Sequence, residues 1–340
     1  MKTSDFDYEL PEGFIAQEPV EPRDASRLLV YHRDSGNIEH THFTNLVRFL
    51  HPGDLLVVNK TRVIPGRLFA RKIPTGGRVE VLLLRQRDAL SWEALVGGKG
   101  LTTGKTLRVE DGPVAVVAAD LGGSRRLIRF ETPIETDLDR FGHVPLPPYI
   151  HMPLIDRRRY QTVYAVDAGS AAAPTAGLHF TPELLEKLRE QGIMSCEITL
   201  HIGLDTFVPV TEENPHQHQI HTEWCQVDEI AAEQVNEAHR KGNRIVAVGT
   251  TSVRALESAT RFAQGQDIIG SFSGATDLFI LPGYKFQVMD AMITNFHLPR
   301  STLVMLVSAF TGRDRILDIY RLAIREGYRF YSFGDAMLII

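Results

Sequence analysis

The segment 62–134 constrains the fold most, because every regular run in it has the character of a short β-strand. Gly-rich turns separate these runs, and no apolar spacing typical of a helix comes between them. About six short strands with turns at this spacing are typical of a small antiparallel barrel. The predicted strands are 66–72, 78–84, 92–96, 106–109, 114–118 and 126–130.

The chain on both sides of this segment alternates helix-like and strand-like runs. Such alternation is typical of an α/β domain, and the apolar run 55–58 supplies a strand from the part before the barrel. We therefore predict a discontinuous α/β domain, residues 1–62 plus 150–340, with a mixed sheet and flanking helices. A small antiparallel β-barrel domain, residues 63–149, is inserted into it. The predicted helices are 182–191, 228–241, 253–263 and 313–325, and the further strands are 195–201, 244–248 and 278–281.

Composition limits the class of protein. With 340 residues, 43% of them hydrophobic, the chain is able to bury a large core. The first residues carry no apolar run behind a basic end, and the apolar stretch 303–310 is far shorter than a bilayer crossing requires. Only two cysteines occur, Cys196 and Cys225, without metal-binding spacing. We expect a soluble cytoplasmic protein with no secretory signal and no membrane segment.

Residues 173–181 concentrate small side chains around one histidine, directly before a helix start. Small residues let a ligand approach the backbone, and the helix behind them offers unpaired N–H groups to an anion. His179 is therefore a candidate catalytic residue. A tight core crossing with a buried, hydrogen-bonded His179 explains the same residues equally well.

A second candidate site follows a buried strand, where Gly249 leads into three hydroxyl residues and an arginine. At a helix start, Thr250, Thr251 and Ser252 would present hydroxyl and N–H groups to a carboxylate or phosphate. Arg254, within the first turn, would add a bidentate contact. The sequence is not a Walker motif, since no Gly-Lys-Thr follows. An ordinary capped helix is the alternative, although one cap needs a single hydroxyl.

Two further clusters hold imidazoles. His216, His218 and His221 lie close together in the sequence, but neither a cysteine nor a His-Glu-x-x-His helix accompanies them. An acid/base or ligand-contact role is therefore favoured over a metal site. Near the C-terminus, Asn295 and His297 stand between apolar runs, where polar groups must be hydrogen-bonded within the protein or to a ligand.

The formal net charge of −5 argues mildly against a nucleic-acid partner, but the positive charges are clustered. One cluster lies in the predicted barrel segment and includes Arg62 and Arg67. The other is Arg157, Arg158 and Arg159. A polyanion requires a local basic patch rather than a basic total, so these clusters are compatible with RNA contact. A solvated surface is the alternative.

Seven strings, found in order along the whole chain, resemble signatures of the S-adenosylmethionine:tRNA ribosyltransferase-isomerase family. They are Asn59-x-Thr61-Arg62-Val63-Ile64-Pro65 and residues 142–150, 160–165, 173–180, 249–254, 294–301 and 334–338. Several are long and unusual, which makes the resemblance specific. It implies an α/β domain with an inserted β-barrel, in agreement with the pattern above.

The resemblance also implies a transferase of queuosine biosynthesis. Such enzymes transfer the ribosyl part of S-adenosylmethionine to 7-aminomethyl-7-deazaguanine at the tRNA wobble position and isomerise it to epoxyqueuosine, releasing adenine and methionine. S-adenosylmethionine is then a substrate, tRNA is the partner, and neither a metal nor a permanently bound cofactor is expected. We expect the enzyme to act as a monomer.

Site roles follow from that chemistry, which needs a base near the ribose, a neutral attacking amine and an acid for the leaving adenine. His179, His201 and His221 are the candidate catalytic residues. The candidates for S-adenosylmethionine binding are Thr250, Thr251, Ser252, Arg254, Tyr164, Asn295 and His297, and those for tRNA binding are Arg62, Arg67, Arg157, Arg158 and Arg159. One departure bears on the mechanism: Leu200 stands where relatives typically carry a histidine, so His201 inherits its role.

Two other classes of protein remain open on the residues alone. A non-catalytic RNA-binding barrel would need only the basic residues of the barrel segment. A metal-dependent hydrolase would depend on the histidines between 216 and 221. Neither class explains the order of the seven strings.

Overall fold

The computed structural model describes residues 1–203, 209–220 and 222–340. The chain divides into two compact units. The large unit comprises Met1–Thr61, Pro147–Asp167 and Ala173–Ile340, and the small unit comprises Arg62–Leu146 and Ala168–Ala172. Within the described ranges, no helix has the length and apolar character that a membrane crossing requires.

The strands and α-helices of these ranges are numbered in chain order. The strands are β1 (Arg27–Tyr31), β2 (Ile38–His42), β3 (Leu55–Asn59), β4 (Thr61–Val63), β5 (Arg67–Ile73), β6 (Arg78–Gln86), β7 (Ser91–Gly97), β8 (Thr106–Val109), β9 (Val114–Asp120), β10 (Arg125–Phe130), β11 (Asp167–Ser170), β12 (Met194–Leu200), β13 (Glu223–Val227), β14 (Ile245–Val248), β15 (Phe272–Thr276), β16 (Ala291–Asn295) and β17 (Ala336–Ile339). The α-helices are α1 (Leu138–Phe141), α2 (Pro182–Glu190), α3 (Glu229–Arg240), α4 (Thr250–Ala259), α5 (Thr302–Thr311) and α6 (Arg313–Arg325).

A nine-stranded mixed sheet with the order β15-β13-β12-β3-β14-β16-β17-β1-β2 organises the large unit. Its central strands β12, β3, β14 and β16 run parallel, whereas β17 runs antiparallel to β16 and parallel to β1. Every residue of β3, β14 and β16 is buried, as expected for parallel strands covered on both faces. The carboxyl ends of the four central strands and the starts of β17 and β1 therefore share one edge of the sheet.

One face of this sheet packs against α2 and the segment before it. Alternate residues of β1, β3, β14, β16 and β17 form a buried cluster with Phe180, Leu184 and Leu188. The side chain of Thr181 caps α2, accepting a hydrogen bond from the Leu184 N–H at 3.1 Å. Phe180 therefore fixes the end of the small-residue loop to the sheet.

A closed antiparallel barrel with the order β10-β7-β6-β5-β8-β9 forms the small unit. Its interior is a separate apolar cluster that includes Leu68, Leu83 and Trp92. Each of the six strands predicted for this segment overlaps one of β5–β10. The predicted fold class, a mixed α/β sheet with an inserted antiparallel barrel, is confirmed.

The strand predicted at 278–281 is wrong. This apolar run pairs with no strand of the described residues, and the strand of that region is β15. The Leu278 carbonyl instead accepts a hydrogen bond from Arg254 Nε at 3.1 Å. A short apolar run signals burial, and burial alone does not distinguish a strand from an extended loop.

Candidate active site

The shared sheet edge is where ligands bind in open parallel α/β sheets, because loops from several strands meet there. Asn59 ties the ends of two central strands together at this edge. Its side-chain oxygen accepts hydrogen bonds from the N–H groups of Leu200 (3.0 Å) and Thr61 (3.1 Å), and its amide nitrogen donates to the Leu200 carbonyl (2.9 Å). The backbone before His201 is thereby fixed.

Three of the sequence stretches singled out above line one cavity at this edge. Its empty volume, counted together with the open solvent at its mouth, is about 360 Å³. Its lining residues are Ala173, Pro174, Thr175, Ala176, Ile202, Gly249, Thr250, Thr251, Thr294, Asn295, His297 and Leu303. Segments distant in sequence thus converge on one space.

His179 is buried beside this cavity and is held on both sides. Its Nδ1 lies 2.7 Å from Ser26 Oγ, and its Nε2 lies 3.2 Å from Asn295 Nδ2. The imidazole stacks on Phe43 with ring centroids 5.1 Å apart. Burial lowers the pKa of His179 to about 3, and the charges of Arg329 and Arg23 act in the same direction. The ring is therefore neutral at physiological pH.

The amide of Asn295 fixes the tautomer of that imidazole. Asn295 Nδ2 donates to the Tyr331 carbonyl at 3.2 Å, and a carbonyl only accepts, so this atom is the nitrogen. Its Oδ1 accepts from the Thr175 hydroxyl at 2.9 Å. The His179 nitrogen facing Asn295 must then be the acceptor, and Nδ1 carries the proton donated to Ser26. Neither ring nitrogen is left for a substrate.

Unlike His179, His201 has a hydrogen-bond partner among the described residues at only one ring nitrogen. Its Nδ1 lies 2.7 Å from Thr61 Oγ1, and the ring stacks on Trp224 with centroids 5.0 Å apart. Burial lowers the pKa of His201, while the carboxylate of Asp167 acts in the opposite direction. The side chain is partly exposed, and the next residue, Ile202, lines the cavity. A neutral imidazole with Nε2 turned away from Thr61 is suited to accept a proton.

Leu200, where the resemblance led us to expect a histidine, is fully buried. Its neighbour His201 points the other way, since successive side chains alternate along a strand. An aliphatic side chain therefore lies in the interior of this protein, and His201 lies at the edge.

The hydroxyl residues at the start of α4 fall into two groups. Thr250 and Thr251 line the cavity, and Thr251 Oγ1 is buried without a hydrogen-bond partner among the described residues. Ser252 is fully buried and donates to the Val248 carbonyl at 2.8 Å. Gly249, which has φ 86°, gives the sharp turn into the helix. The geometry differs from the ligand contact predicted for Ser252, because its hydroxyl donates to the last carbonyl of β14.

Arg254 is buried and pairs with a carboxylate. Its Nη1 donates to Glu223 Oε2, whose other oxygen accepts from the Gly203 N–H at 3.0 Å. Its Nε donates to Leu278, which leaves Nη2 buried without a partner in the described part of the chain. Glu223 thus neutralises the charge that the sequence pattern assigned to a ligand carboxylate, and the NH₂ group of Nη2 remains.

His297 is buried, and Tyr164 is partly buried. His297 Nε2 lies 2.7 Å from Thr294 Oγ1, and burial lowers the pKa of His297 to about 3. Burial also raises the pKa of Tyr164, whose hydroxyl has no partner among the described residues. A Cβ at Gly177 would lie 2.1 Å from that hydroxyl, so glycine is required there.

The predicted tRNA-binding arginines differ in exposure. Arg62 is exposed. Arg67 pairs with Glu80 at 3.1 Å, and Arg158, with 89% of its side chain exposed, forms a bidentate pair with Asp156. Of the other two arginines, Arg157 is exposed, whereas Arg159 forms an ion pair with Glu21 and donates a hydrogen bond to the Val20 carbonyl.

The histidines near residue 216 form no metal site that the structure describes. His218 Nδ1 lies 2.9 Å from Glu212 Oε2, and His216 is exposed. His221, a candidate catalytic residue, lies outside the described residues. Within the described ranges, no group of three or more His, Cys, Asp or Glu side chains is placed to hold a metal ion.

Sequence reasoning missed two partners that define the site. Ser26 orients His179 from 153 positions away, and Glu223 neutralises Arg254 from 31 positions away. Both are ordinary polar residues without a local motif. Only the sheet order brings them to the site, so no signal in the single sequence would have selected them.

These features define a class: an α/β protein with a cavity, lined partly by hydroxyl and amide groups, at the carboxyl edge of its parallel strands and a closed barrel as a second unit. The model of the family described as queuosine biosynthesis protein matches residues 3–339. The chain belongs to this family, as the resemblance predicted.

Similar proteins agree over the full length. A protein of Moorella thermoacetica named S-adenosylmethionine:tRNA ribosyltransferase-isomerase is 56% identical over 345 residues, with 100% of both chains covered. A protein of the same name from Desulfitobacterium hafniense is 53% identical over 344 residues, again with 100% of both covered. A crystal structure of S-adenosylmethionine tRNA ribosyltransferase from Thermotoga maritima is 39% identical, with a TM-score of 0.58, and covers 99% of this chain and 100% of that one.

Proposed function

We propose that this protein is an S-adenosylmethionine:tRNA ribosyltransferase-isomerase of queuosine biosynthesis. It transfers the ribosyl part of S-adenosylmethionine to 7-aminomethyl-7-deazaguanine at the tRNA wobble position and isomerises it to epoxyqueuosine, releasing adenine and methionine. The observation that carries this proposal is the convergence of residues 173–176, 249–251 and 294–297 on one cavity. Full-length relatives with this name support it.

His201 is the base in this proposal. The positive sulfonium of S-adenosylmethionine acidifies the adjacent ribose 5′-CH, and a base within hydrogen-bond reach removes that proton. A lowered pKa keeps the imidazole uncharged, as a base requires. Thr61 holds Nδ1, which leaves Nε2 as the proton acceptor.

His179 has a different role from the one expected. Because Ser26 and Asn295 occupy both ring nitrogens, His179 is a positioning residue that orients the Asn295 amide and the loop 173–179. His221 stays a weaker candidate for the acid.

Most of the remaining contacts follow from the polar groups that line the cavity. Thr250, Thr251 and the N–H groups at the start of α4 bind the methionine carboxylate. Asn295 and His297 contact the adenine or the modified base.

Two predicted binding residues do not line this cavity. Arg254 lines a separate space together with Glu223, and Tyr164 lines neither of the two spaces. Their contacts with S-adenosylmethionine stay predictions from the sequence.

The tRNA phosphates contact four arginines: Arg62, Arg67, Arg157 and Arg158. Arg159 holds the segment 157–159 in place through its contacts with Glu21 and Val20.

S-adenosylmethionine is consumed as a substrate in this proposal, and no cofactor is permanently bound. The enzyme acts as a cytoplasmic monomer. Light scattering of the purified protein measures the mass directly, and a particle of twice the 38.1 kDa chain mass would contradict the monomer.

The experiment that tests the function is a product analysis. The protein is incubated with S-adenosylmethionine and tRNA carrying 7-aminomethyl-7-deazaguanine, and the digested nucleosides and free adenine are measured by mass spectrometry. We expect epoxyqueuosine and adenine in equal amounts, and neither with tRNA that carries guanine at the wobble position. Adenine release without a modified nucleoside would contradict the proposed acceptor.

A further inference from the structure

A second cavity, with an aromatic lining, lies beside the one described above; the two are called the first and the second lobe of the site. The empty volume of the second lobe, counted together with the open solvent at its mouth, is about 320 Å³. Thr175, Asn295, His297 and Leu303 line both lobes. The residues that only the second lobe has are Tyr149, Phe296, Leu298, Ser301, Tyr331 and Ser332. The first lobe is therefore rich in small and hydroxyl residues, and the second is aromatic.

Tyr331 has two unusual features in this lobe. Its backbone φ is 73°, in the left-handed region that bulky residues avoid at a cost of about 1 kcal/mol or more. Its hydroxyl is buried and has no hydrogen-bond partner among the described residues. A buried, unpaired polar group is uncommon in native proteins and calls for an explanation, and backbone strain concentrates at functional sites.

Three tyrosines near Tyr331 have partners for their hydroxyl groups. Tyr8 donates to the His297 carbonyl, Tyr320 accepts from the His297 N–H at 3.1 Å, and the Tyr149 hydroxyl lies 2.7 Å from Ser332 Oγ. The hydroxyls of Tyr160 and Tyr164 are, like that of Tyr331, buried without a partner among the described residues, but of these three tyrosines only Tyr331 lines the second lobe.

The strained backbone is also tied to the site. The Tyr331 carbonyl accepts from Asn295 Nδ2, and its N–H donates to the Phe296 carbonyl at 3.1 Å. The Tyr149 ring packs edge-on against the Tyr331 ring, with centroids 4.7 Å apart. The ring position is therefore fixed from both sides, so that the hydroxyl is held in place before a ligand arrives.

We propose that Tyr331 is a further substrate-binding residue, whose hydroxyl hydrogen-bonds a purine-type base seated in the aromatic lobe. Aromatic edges, aliphatic side chains and one polar group suit a flat heteroaromatic ring with nitrogen acceptors. The adenine of S-adenosylmethionine and the deazaguanine of tRNA share this chemistry. Adenine is favoured, because this lobe shares four lining residues with the hydroxyl-lined lobe assigned to the methionine carboxylate. This inference rests on the proposed function.

The test removes one hydroxyl and keeps the ring. Tyr331→Phe is compared with the wild type in calorimetric binding of S-adenosylmethionine, with free adenine as a second probe. We expect the Kd for both to rise about five- to tenfold. The thermal unfolding temperature of the ligand-free variant should stay equal or increase, because an unsatisfied buried hydroxyl has been removed.

Tyr328→Phe is the matched control. Tyr328 is three residues away and fully buried, and its hydroxyl lies 2.8 Å from His40 Nδ1, outside both lobes. This variant should lose stability and keep the Kd for S-adenosylmethionine. If the Tyr331 hydroxyl had a purely structural role, Tyr331→Phe would behave like Tyr328→Phe: it would lose stability and keep the Kd for S-adenosylmethionine.

The outcomes separate the two sources of the base. A weaker Kd for S-adenosylmethionine and adenine supports the adenine site, whereas an unchanged Kd with a higher KM for the modified tRNA supports the deazaguanine site. If Tyr331→Phe changes neither quantity, the inference is overturned. Binding of S-adenosylmethionine by the wild type without any tRNA product would overturn the proposed function and leave the Tyr331 comparison valid.

Discussion

At the scale of single residues, the two imidazoles at the sheet edge differ in the atoms they have free. Within the described part of the chain, only Nδ1 of His201 has a hydrogen-bond partner, whereas Ser26 and Asn295 occupy both nitrogens of His179. A proton transfer needs a free nitrogen within hydrogen-bond reach of the substrate. The two residues therefore predict different responses to substitution and to pH.

The pH dependence of turnover tests His201. A base must be deprotonated, so kcat falls when the pH drops below the pKa of His201, and burial places that pKa below the ordinary value of 6.5. His201→Ala should lower kcat about 10²- to 10⁴-fold and remove this acidic limb from the profile. Stopped assays of adenine release across the acidic and neutral pH range measure both. If the His201→Ala variant still shows the acidic limb, that limb arises from the titration of another group.

The pH dependence of stability tests the buried state of His179. Its pKa is about 3 in the folded protein and near 6.5 when unfolded, so the unfolded chain binds one more proton between these values. This contribution to stability is complete above pH 6.5 and is lost as the pH falls towards 3. Between those two pH values, His179→Asn should reduce the slope of unfolding free energy against pH by about 1.4 kcal/mol per pH unit. Urea titrations of both proteins measure the slopes, and equal slopes would contradict a buried neutral His179.

Sequence could predict the residue types of the site but not their partners. Hydroxyl and amide groups beside buried strands are unusual, which singles out Thr250, Thr251 and Asn295, and all three line the cavity. The same pattern singles out Ser252, but its hydroxyl turns back to the strand. Which hydroxyl faces the cavity depends on how the helix is rotated about its axis, and the residue types alone do not specify that rotation.

At the scale of elements, the loop 173–179 depends on a glycine that lets a tyrosine approach. A Cβ at Gly177 would lie 2.1 Å from the Tyr164 hydroxyl and 2.8 Å from Thr162 Cγ2. Gly177→Ala should therefore destabilise the protein by about 1–3 kcal/mol. Adding Tyr164→Phe should recover part of the loss, because one of the two clashes disappears.

Chemical denaturation of the two variants measures this coupling. Gly274→Ala is the control, because a Cβ at Gly274 would meet nothing within 4 Å. Additive effects of Gly177→Ala and Tyr164→Phe would contradict the direct contact.

The elements that could be predicted from the sequence were those whose ends carry capping residues or a following glycine. The Asp228 side chain caps α3, accepting from the Ala231 N–H at 2.8 Å, and glycines follow the last turns of α2 and α3 with positive φ. The error at 278–281 arose where no such signal exists. A run of four apolar residues is compatible with a strand or a buried loop, and the tertiary partners decide between them.

At the scale of the whole molecule, tRNA binding predicts a salt dependence that small-molecule binding lacks. Each phosphate contact that is lost reduces the slope of log K against log salt by about 1. Arg158→Gln should show this reduction and keep the Kd for S-adenosylmethionine. Filter binding of tRNA at several salt concentrations measures the slope.

Arg189→Gln is a matched control for that experiment. Arg189 is also an exposed arginine paired with a nearby carboxylate, Glu186, but it lies on α2. Its substitution should leave the slope unchanged. Equal slopes for wild type and Arg158→Gln would remove Arg158 from the tRNA contacts.

The architecture was predictable because two hydrophobic patterns change at definite points in the chain. The alternation of short strands marks the barrel, and long helices between apolar strands mark the sheet. We keep the domain assignment, residues 63–149 within 1–62 plus 150–340, as a proposal. The small unit also takes in Ala168–Ala172, which sequence could not assign because this return segment has no barrel-like pattern of its own.

The most direct test of the proposed active site is a crystal structure of the protein with bound S-adenosylmethionine. We predict the methionine carboxylate beside Thr251, the ribose near His201 and the adenine beside Tyr331. Electron density for the ligand outside this cavity would contradict the assignment. The surface cleft lined by His32, Arg48 and Arg244 is one such place.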